Sequence, residues 1–265
     1  MNTARTYRKL YKQKLATAEA LGEGVESGNV VCSDITLAQP SGLLNALAQH
    51  VKKDGLTGVK QHTVLDVYPY EMYQNADLLG SLTGISWFSS GGARKAVNGG
   101  YGDVMPCYYR DIPSLFEQYV DVDYFFAAVS PMDSHGYFSM STVGSNSEAM
   151  MRKAKHIIVE VNKNLPRALH SPMVHISQVE GVCENTIPLV VLPQAKIDEV
   201  SQTIGNLIAE QIPDGATLQL GIGAVPDAVG MALKNKHDLG IHTEMFTDSM
   251  VELIECGAVN NSKKP

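Results

Sequence analysis

The run Ala216-Thr217-Leu218-Gln219-Leu220-Gly221-Ile222-Gly223-Ala224-Val225-Pro226-Asp227 passes from an apolar, strand-like stretch through two closely spaced glycines into a helix-compatible segment that continues to Lys236. Strand, glycine turn and helix start, in that order, make an anion-binding arrangement. The first-turn amides of a helix have no partners within it, and its dipole is positive at that end. Pro226 is expected at the first helical position, where it loses no needed N–H, and Asp227 favours a helix start. Gly221, Ile222, Gly223, Ala224 and Val225 form the candidate ligand-binding turn, because glycines without a Cβ let backbone amides come close to a ligand. One helix further on, Gly240-Ile241-His242-Thr243-Glu244-Met245-Phe246 reads as a second short strand ending at Glu244. The ends of such strands are where α/β folds carry function.

Two classes of ligand fit these residues. A dinucleotide fingerprint needs G-x-G-x-x-G and an acidic residue about 20 positions on. Glu244 falls near that distance, but Pro226 stands where the third glycine belongs. The wider phrase, Leu218 to Val229 together with Leu239 to Met245, resembles the acetyl-CoA hydrolase/transferase family, in particular its 4-hydroxybutyrate and butyryl-CoA:acetate CoA-transferase members. Tyr7 to Lys14 resembles the family's opening helix, Val129-Ser130-Pro131-Met132-Asp133-Ser134-His135-Gly136-Tyr137 its S-P-x-D-x-x-G loop, and Val159-Glu160-Val161-Asn162 its E-V-N strand end. The resemblance spans essentially all of the chain.

That resemblance implies an α/β fold of open, mostly parallel sheets flanked by helices. Residues 1–190 would form an amino-terminal CoA-transferase domain. Residues 191–265 would begin a carboxyl-terminal domain that is truncated here, since family members run well beyond this length. It implies Glu244 as the nucleophile of acyl transfer, with the Gly221 to Val225 turn holding coenzyme A or a developing oxyanion. Coenzyme A and its acyl thioesters would be substrates, with no permanently bound cofactor, and the full-length protein would be a homodimer. Acyl-CoA hydrolysis, or a CoA- or nucleotide-binding module without turnover, are the alternatives.

Composition narrows the field further. A chain of 265 residues with 44% hydrophobic content can bury a sizeable core. A net charge of −7, with no basic cluster interleaved with aromatics, argues against nucleic acid as a partner. Apolar runs such as Phe125-Phe126-Ala127-Ala128-Val129 fall far short of the ~20 residues needed to cross a bilayer. Cys32, Cys107, Cys183 and Cys256 are scattered without C-x-x-C spacing, and His242-x-Glu244 lacks the downstream P-C-x-x-C of zinc deaminases, so no metal is expected. Arg5, Arg8, Lys9, Lys12 and Lys14 precede the first acidic residue as in a transit peptide, yet they run straight into Leu21 to Val31 without a cleavage-like spacer. A basic face on a surface helix, and a cytoplasmic location, are expected instead.

Along the chain, strand patterns at about Val30 to Leu37, Gly58 to Val67, Asp121 to Ser130, His156 to Val161, Leu189 to Leu192 and Thr217 to Gly221 alternate with helical patterns. The helices fall near Pro40 to Lys53, Ser145 to Ala154, Ile197 to Ile212 and Asp227 to Lys236. Gln178 to Pro193, with Pro188 and Pro193, is the candidate domain boundary. The glycine-rich stretch Ser89 to Gly102 lacks the order of a Walker loop and reads as a turn-rich loop, either mobile or touching a ligand.

Overall fold

In the computed structural model, which describes residues 3–193 and 195–264, the β-branched stretches become strands and the chain divides into two units, Met1–Val190 and Val191–Pro265. In the first unit the strands are β1 (Val30–Ile35), β2 (Val59–Val64), β3 (Leu82–Ser86), β4 (Gly102–Val104), β5 (Tyr124–Val129), β6 (Tyr137–Ser139), β7 (His156–Val161), β8 (Met173–His175) and β9 (Gly181–Glu184). The helices are α1 (Thr3–Lys14), α2 (Ala18–Gly22), α3 (Ser41–Asp54), α4 (Gly91–Asn98), α5 (Ile112–Tyr119) and α6 (Ser147–Lys153).

Among the described residues, seven strands form one sheet in the order β4-β3-β2-β1-β5-β7-β9, and each pairing is parallel. The fully buried run Tyr124 to Val129 lies in the interior of the sheet between β1 and β7, as a strand covered on both faces must. On one face Phe116 and Ile112 of α5 and Met150 of α6 pack against Cys32, Phe125 and Val159. On the other, Leu43, Leu47 and Val51 of α3 pack against Val31, Val59 and Phe126. Strand order reverses between β1 and β5, and ligands of open α/β sheets bind at the carboxyl ends beside such a point.

Several local readings change. Leu189 to Leu192 is not a strand: Pro188 and Pro193 bracket it and remove ladder donors, and Val191 and Leu192 are exposed. The glycine-rich stretch contains α4, because Ser90 caps it through a bond from the Ala93 amide and Ala93 and Ala96 are buried. Strand β3 carries too few apolar residues to announce itself. Its Gly84 is required by contact, since a Cβ there would lie 2.4 Å from the Tyr73 ring. The basic opening segment is a largely exposed helix tied down by Tyr11 on Glu184 (2.6 Å) and Lys14 on the Ile176 carbonyl (2.9 Å). No helix among the described residues is long and apolar enough to cross a membrane.

The second unit comprises α7 (Glu199–Gln211), β10 (Thr217–Leu218), α8 (Ala224–Ala232), β11 (Gly240–Ile241) and α9 (Asp248–Glu255). Its core joins Leu218, Leu220, Val229, Leu233, Ile241, Met250 and Leu253. Helices α7 and α8 touch through Gly205, where a Cβ would lie 2.7 Å from the Ala228 backbone.

Candidate active site

Parallel pairing of Thr217 with Gly240 and of Leu218 with Ile241 makes the chain leave β10 and β11 at the same end. The glycine turn leaves one strand and the Glu244 loop the other. The His242 amide extends the ladder by one bond, to the Leu218 carbonyl at 2.8 Å. Beyond that, Gly221-Ile222-Gly223 turns away and β11 has no partner, so Glu244 lies three residues past the strand in a bend, exposed with His242. An alternation that would put His242 and Glu244 on one strand face therefore does not apply.

Two side-chain bonds hold this loop instead. At its start, Thr243 Oγ1 donates to the Leu220 carbonyl (3.2 Å). Past its end, Ser249 Oγ donates to Asp227 Oδ1 (3.2 Å) and lies 2.9 Å from Thr247 Oγ1, which fastens the start of α9 to the first turn of α8. Neither link is visible in the sequence, where Asp227 reads only as a helix-start residue. Among the described residues no hydrogen bond or ion pair engages the Glu244 carboxylate, which leaves it available to an incoming electrophile.

Helix α8 begins at Ala224, with Gly223 as its N-cap, so Pro226 occupies the third helical position and not the first. Proline is tolerated there for the same reason, because first-turn amides have no acceptor within the helix. Gly223 has φ +132°, a conformation that L side chains rarely adopt, so backbone geometry alone accounts for it. Gly221 is different. A Cβ there would meet only Pro226 Cγ at 3.9 Å, so nothing within the chain demands a glycine. The amides of Gly221, Ile222 and Gly223 have no partner among the described residues.

Residues 1–193 match the family model described as the acetyl-CoA hydrolase/transferase N-terminal domain. The chain belongs to this family. It is 38% identical to the succinyl-CoA:cyclohexane-1-carboxylate CoA transferase of Geobacter metallireducens, over 99% of this chain and 59% of that protein. It is likewise 38% identical to the 4-hydroxybutyrate coenzyme A transferase of Clostridium kluyveri, over 97% of this chain and 60% of that protein. The crystal structure of RipA from Yersinia pestis superposes with a TM-score of 0.87 at 32% identity, covering 96% of this chain and 61% of RipA. The chain thus spans about three-fifths of the length of the relatives it matches.

In this acetyl-CoA hydrolase/transferase chain the other motif carboxylates are structural. Asp133 Oδ1 accepts from the His135 (2.8 Å) and Tyr137 (2.9 Å) amides and Oδ2 pairs with Arg167 (2.5 Å), which closes the turn at Gly136. Burial acts to raise its pKa, but these bonds outweigh it and hold the carboxyl below its ordinary value. Glu160 is buried at the end of β7 and accepts from the Leu43 (2.8 Å) and Gly42 (3.3 Å) amides at the start of α3, and from Asn185 (2.9 Å). It anchors a helix dipole, although burial keeps its pKa raised. Asn162 of the same motif donates to the Ile187 carbonyl (3.1 Å).

Proposed function

We propose that the chain carries the nucleophile and the coenzyme A-binding turn of a CoA-transferase that moves coenzyme A between a short-chain acyl-CoA and a carboxylic acid. The observation that carries this is the placement of Glu244 and the Gly221 to Val225 turn at the same end of two paired parallel strands. Family membership and the printed activities of the relatives support it.

The chemistry runs through the Glu244 carboxylate. Its oxygen attacks the thioester carbonyl carbon, the C–S bond breaks, and an acyl-glutamyl anhydride forms with release of CoA thiolate. The thiolate then attacks the glutamyl carbonyl, leaving glutamyl-CoA thioester and the free carboxylate of the first acid. A second carboxylate enters and reverses both steps. Each tetrahedral oxyanion needs donors, and the unpartnered amides of residues 221–225 are of the right kind. Acyl-CoA hydrolysis is the second reading, favoured by one observation: Glu244 is exposed, so water reaches the position the acid must take.

The test incubates the chain, alone and extended to its relatives' length, with butyryl-CoA, traps with borohydride and maps the modified peptide. Conversion of the Glu244 carboxyl to its alcohol, with the CoA thiol released by the reduction and the change absent in Glu244→Ala, supports the reading. A modification at another residue would overturn it, and CoA release that does not depend on added acetate would select hydrolysis.

A further inference from the structure

Strands β1 and β2 end side by side, with Ile35 opposite Val64, and each leaves the sheet through a residue in the left-handed region, Thr36 at φ +46° and Leu65 at φ +44°. A β-branched or bulky side chain is strained there, so each turn persists only while its surroundings hold it. One side chain holds both turns. Gln39, buried between β1 and α3, donates from Nε2 to the Val64 carbonyl (3.1 Å) and to Asp66 Oδ1 (3.0 Å). The segment it fastens, residues 65–70, is half-buried at Leu65, Val67 and Tyr68 and exposed at Pro69. Its residues 66–70 form part of one wall of a cleft.

Asp66 is the weak point of this fastening. It is 8% exposed, and besides Gln39 its carboxyl meets Thr63 Oγ1 (3.1 Å) and its own amide. All three donors are neutral, and among the described residues no cation pairs with it. Tyr73, in the turn Glu71–Tyr73, stands behind Thr63 with its hydroxyl 2.9 Å from Thr63 Oγ1, and Tyr70 faces Asp66 from the segment itself. Burial, and then the charge of Asp66, raise both tyrosine hydroxyls, so both are neutral at physiological pH. Glu160, at the end of β7, acts on Tyr68 and Tyr70. A buried carboxylate in this setting is costly. A protonated one is not: the bond between Thr63 and Tyr73 can run in either direction, so Asp66 can donate to Thr63 Oγ1 while it still accepts from Gln39.

We propose that residues 65–70 are a flap hinged at Leu65, which a protonated Asp66 holds shut and an ionised Asp66 releases, so that this wall of the cleft opens as pH rises. Opening lets water solvate the carboxylate and lets Leu65 leave the left-handed region, so charge and strain act in the same direction. Burial holds Asp66 at about 6 when the flap is shut, against 3.8 in water. The form with the higher pKa is the shut one, so the open form gains as pH rises, by ~tenfold between pH 5 and pH 7.5. The flap lies wholly in the first unit and does not rest on the transfer chemistry of Glu244.

Hydrogen exchange of the whole chain, corrected for intrinsic rates, tests this at the Leu65 and Tyr70 amides, which bond to the Phe88 (2.9 Å) and Tyr68 (3.0 Å) carbonyls. Protection at both should fall ~tenfold from pH 5 to pH 7.5 and be the same with and without dilute urea, since a local opening exposes too little surface to respond to it. Asp66→Asn, neutral and of the same shape, should remove the pH dependence and hold protection at or above the wild-type value at pH 5. Gln39→Met should lower protection at both pH values and keep the pH dependence. Equal protection at the two pH values in the wild type, protection that falls with dilute urea as global unfolding would make it, or an unchanged pH dependence in folded Asp66→Asn would overturn the proposal. The wild-type comparison decides without either variant, and because no covalent adduct is read, failure here leaves the Glu244 test unaffected.

Discussion

Thr243 Oγ1 donates a 3.2 Å hydrogen bond to the Leu220 carbonyl, joining the residue before Glu244 to the residue before Gly221. The proposed nucleophile and the amides proposed to serve it are thus coupled by one side chain. Replacing Thr243 with Val keeps the shape and removes the donor. We expect a loss of about 1 kcal/mol in unfolding free energy. In the chain extended to its relatives' length we also expect a lower kcat with little change in KM for acyl-CoA, restored by Thr243→Ser. A normal kcat in Thr243→Val would show that Glu244 needs no such tether.

The two glycines of the turn should respond differently. Gly221→Ala places a methyl where only Pro226 Cγ lies nearby, at 3.9 Å. It should leave thermal stability unchanged yet reduce turnover by ~10²–10³ if the obstructed amide serves an oxyanion. Gly223→Ala forces a Cβ onto a backbone with φ +132° and should lower stability as well, by about 1–3 kcal/mol. Paired melting curves and kinetics decide it, and unimpaired turnover in Gly221→Ala would remove the turn from the site.

Glu244 itself permits a finer test than truncation. Glu244→Asp keeps the carboxylate but withdraws it by one methylene, so adduct formation and transfer should fall steeply while acyl-CoA binding persists. Glu244→Gln should bind acyl-CoA and form no adduct. Isothermal calorimetry beside the trapping assay separates binding from chemistry, and an adduct in Glu244→Gln would rule the residue out.

Two buried groups give stability opposite pH dependences. Burial, and then the Lys60 charge, hold His62 at about 4, below its ordinary 6.5, and its Nδ1 accepts from Trp87 Nε1 (2.9 Å). The unfolded chain protonates first, so this contribution is whole above pH 6.5 and is lost as pH falls toward 4. Asp66 is pushed by burial to about 6 from 3.8, so its penalty is absent below pH 3.8 and grows as pH rises to about 6. Each amounts to about 3 kcal/mol at its limit. Denaturant titrations from pH 4 to pH 7 should therefore show Asp66→Asn gaining on the wild type as pH rises, and His62→Gln falling behind it. Parallel curves for either variant would contradict the burial of that group.

The sequence alone determined what is local. Periodicity over a few residues marked the helices α3, α6 and α7 and the strands β1, β5 and β7, and two glycines after an apolar run marked a turn that opens a helix. Their phrase, with Glu244, carried the family. Where side-chain pattern and turn chemistry were weak, in Gly84-containing β3 or the Ser90-capped α4, the elements stayed hidden, because they exist through contacts with Tyr73 and with the buried core. Tertiary structure alone decided which carboxylates are free. Asp133 and Glu160 stand in motifs as distinct as that of Glu244, yet Arg167 reaches Asp133 and the Leu43 amide and Asn185 side chain reach Glu160 from far along the chain, while no partner among the described residues reaches Glu244. The physical reason is range: backbone propensity and side-chain period act within a turn or two, whereas the availability of a polar group depends on what the folded chain brings to it from far along the sequence.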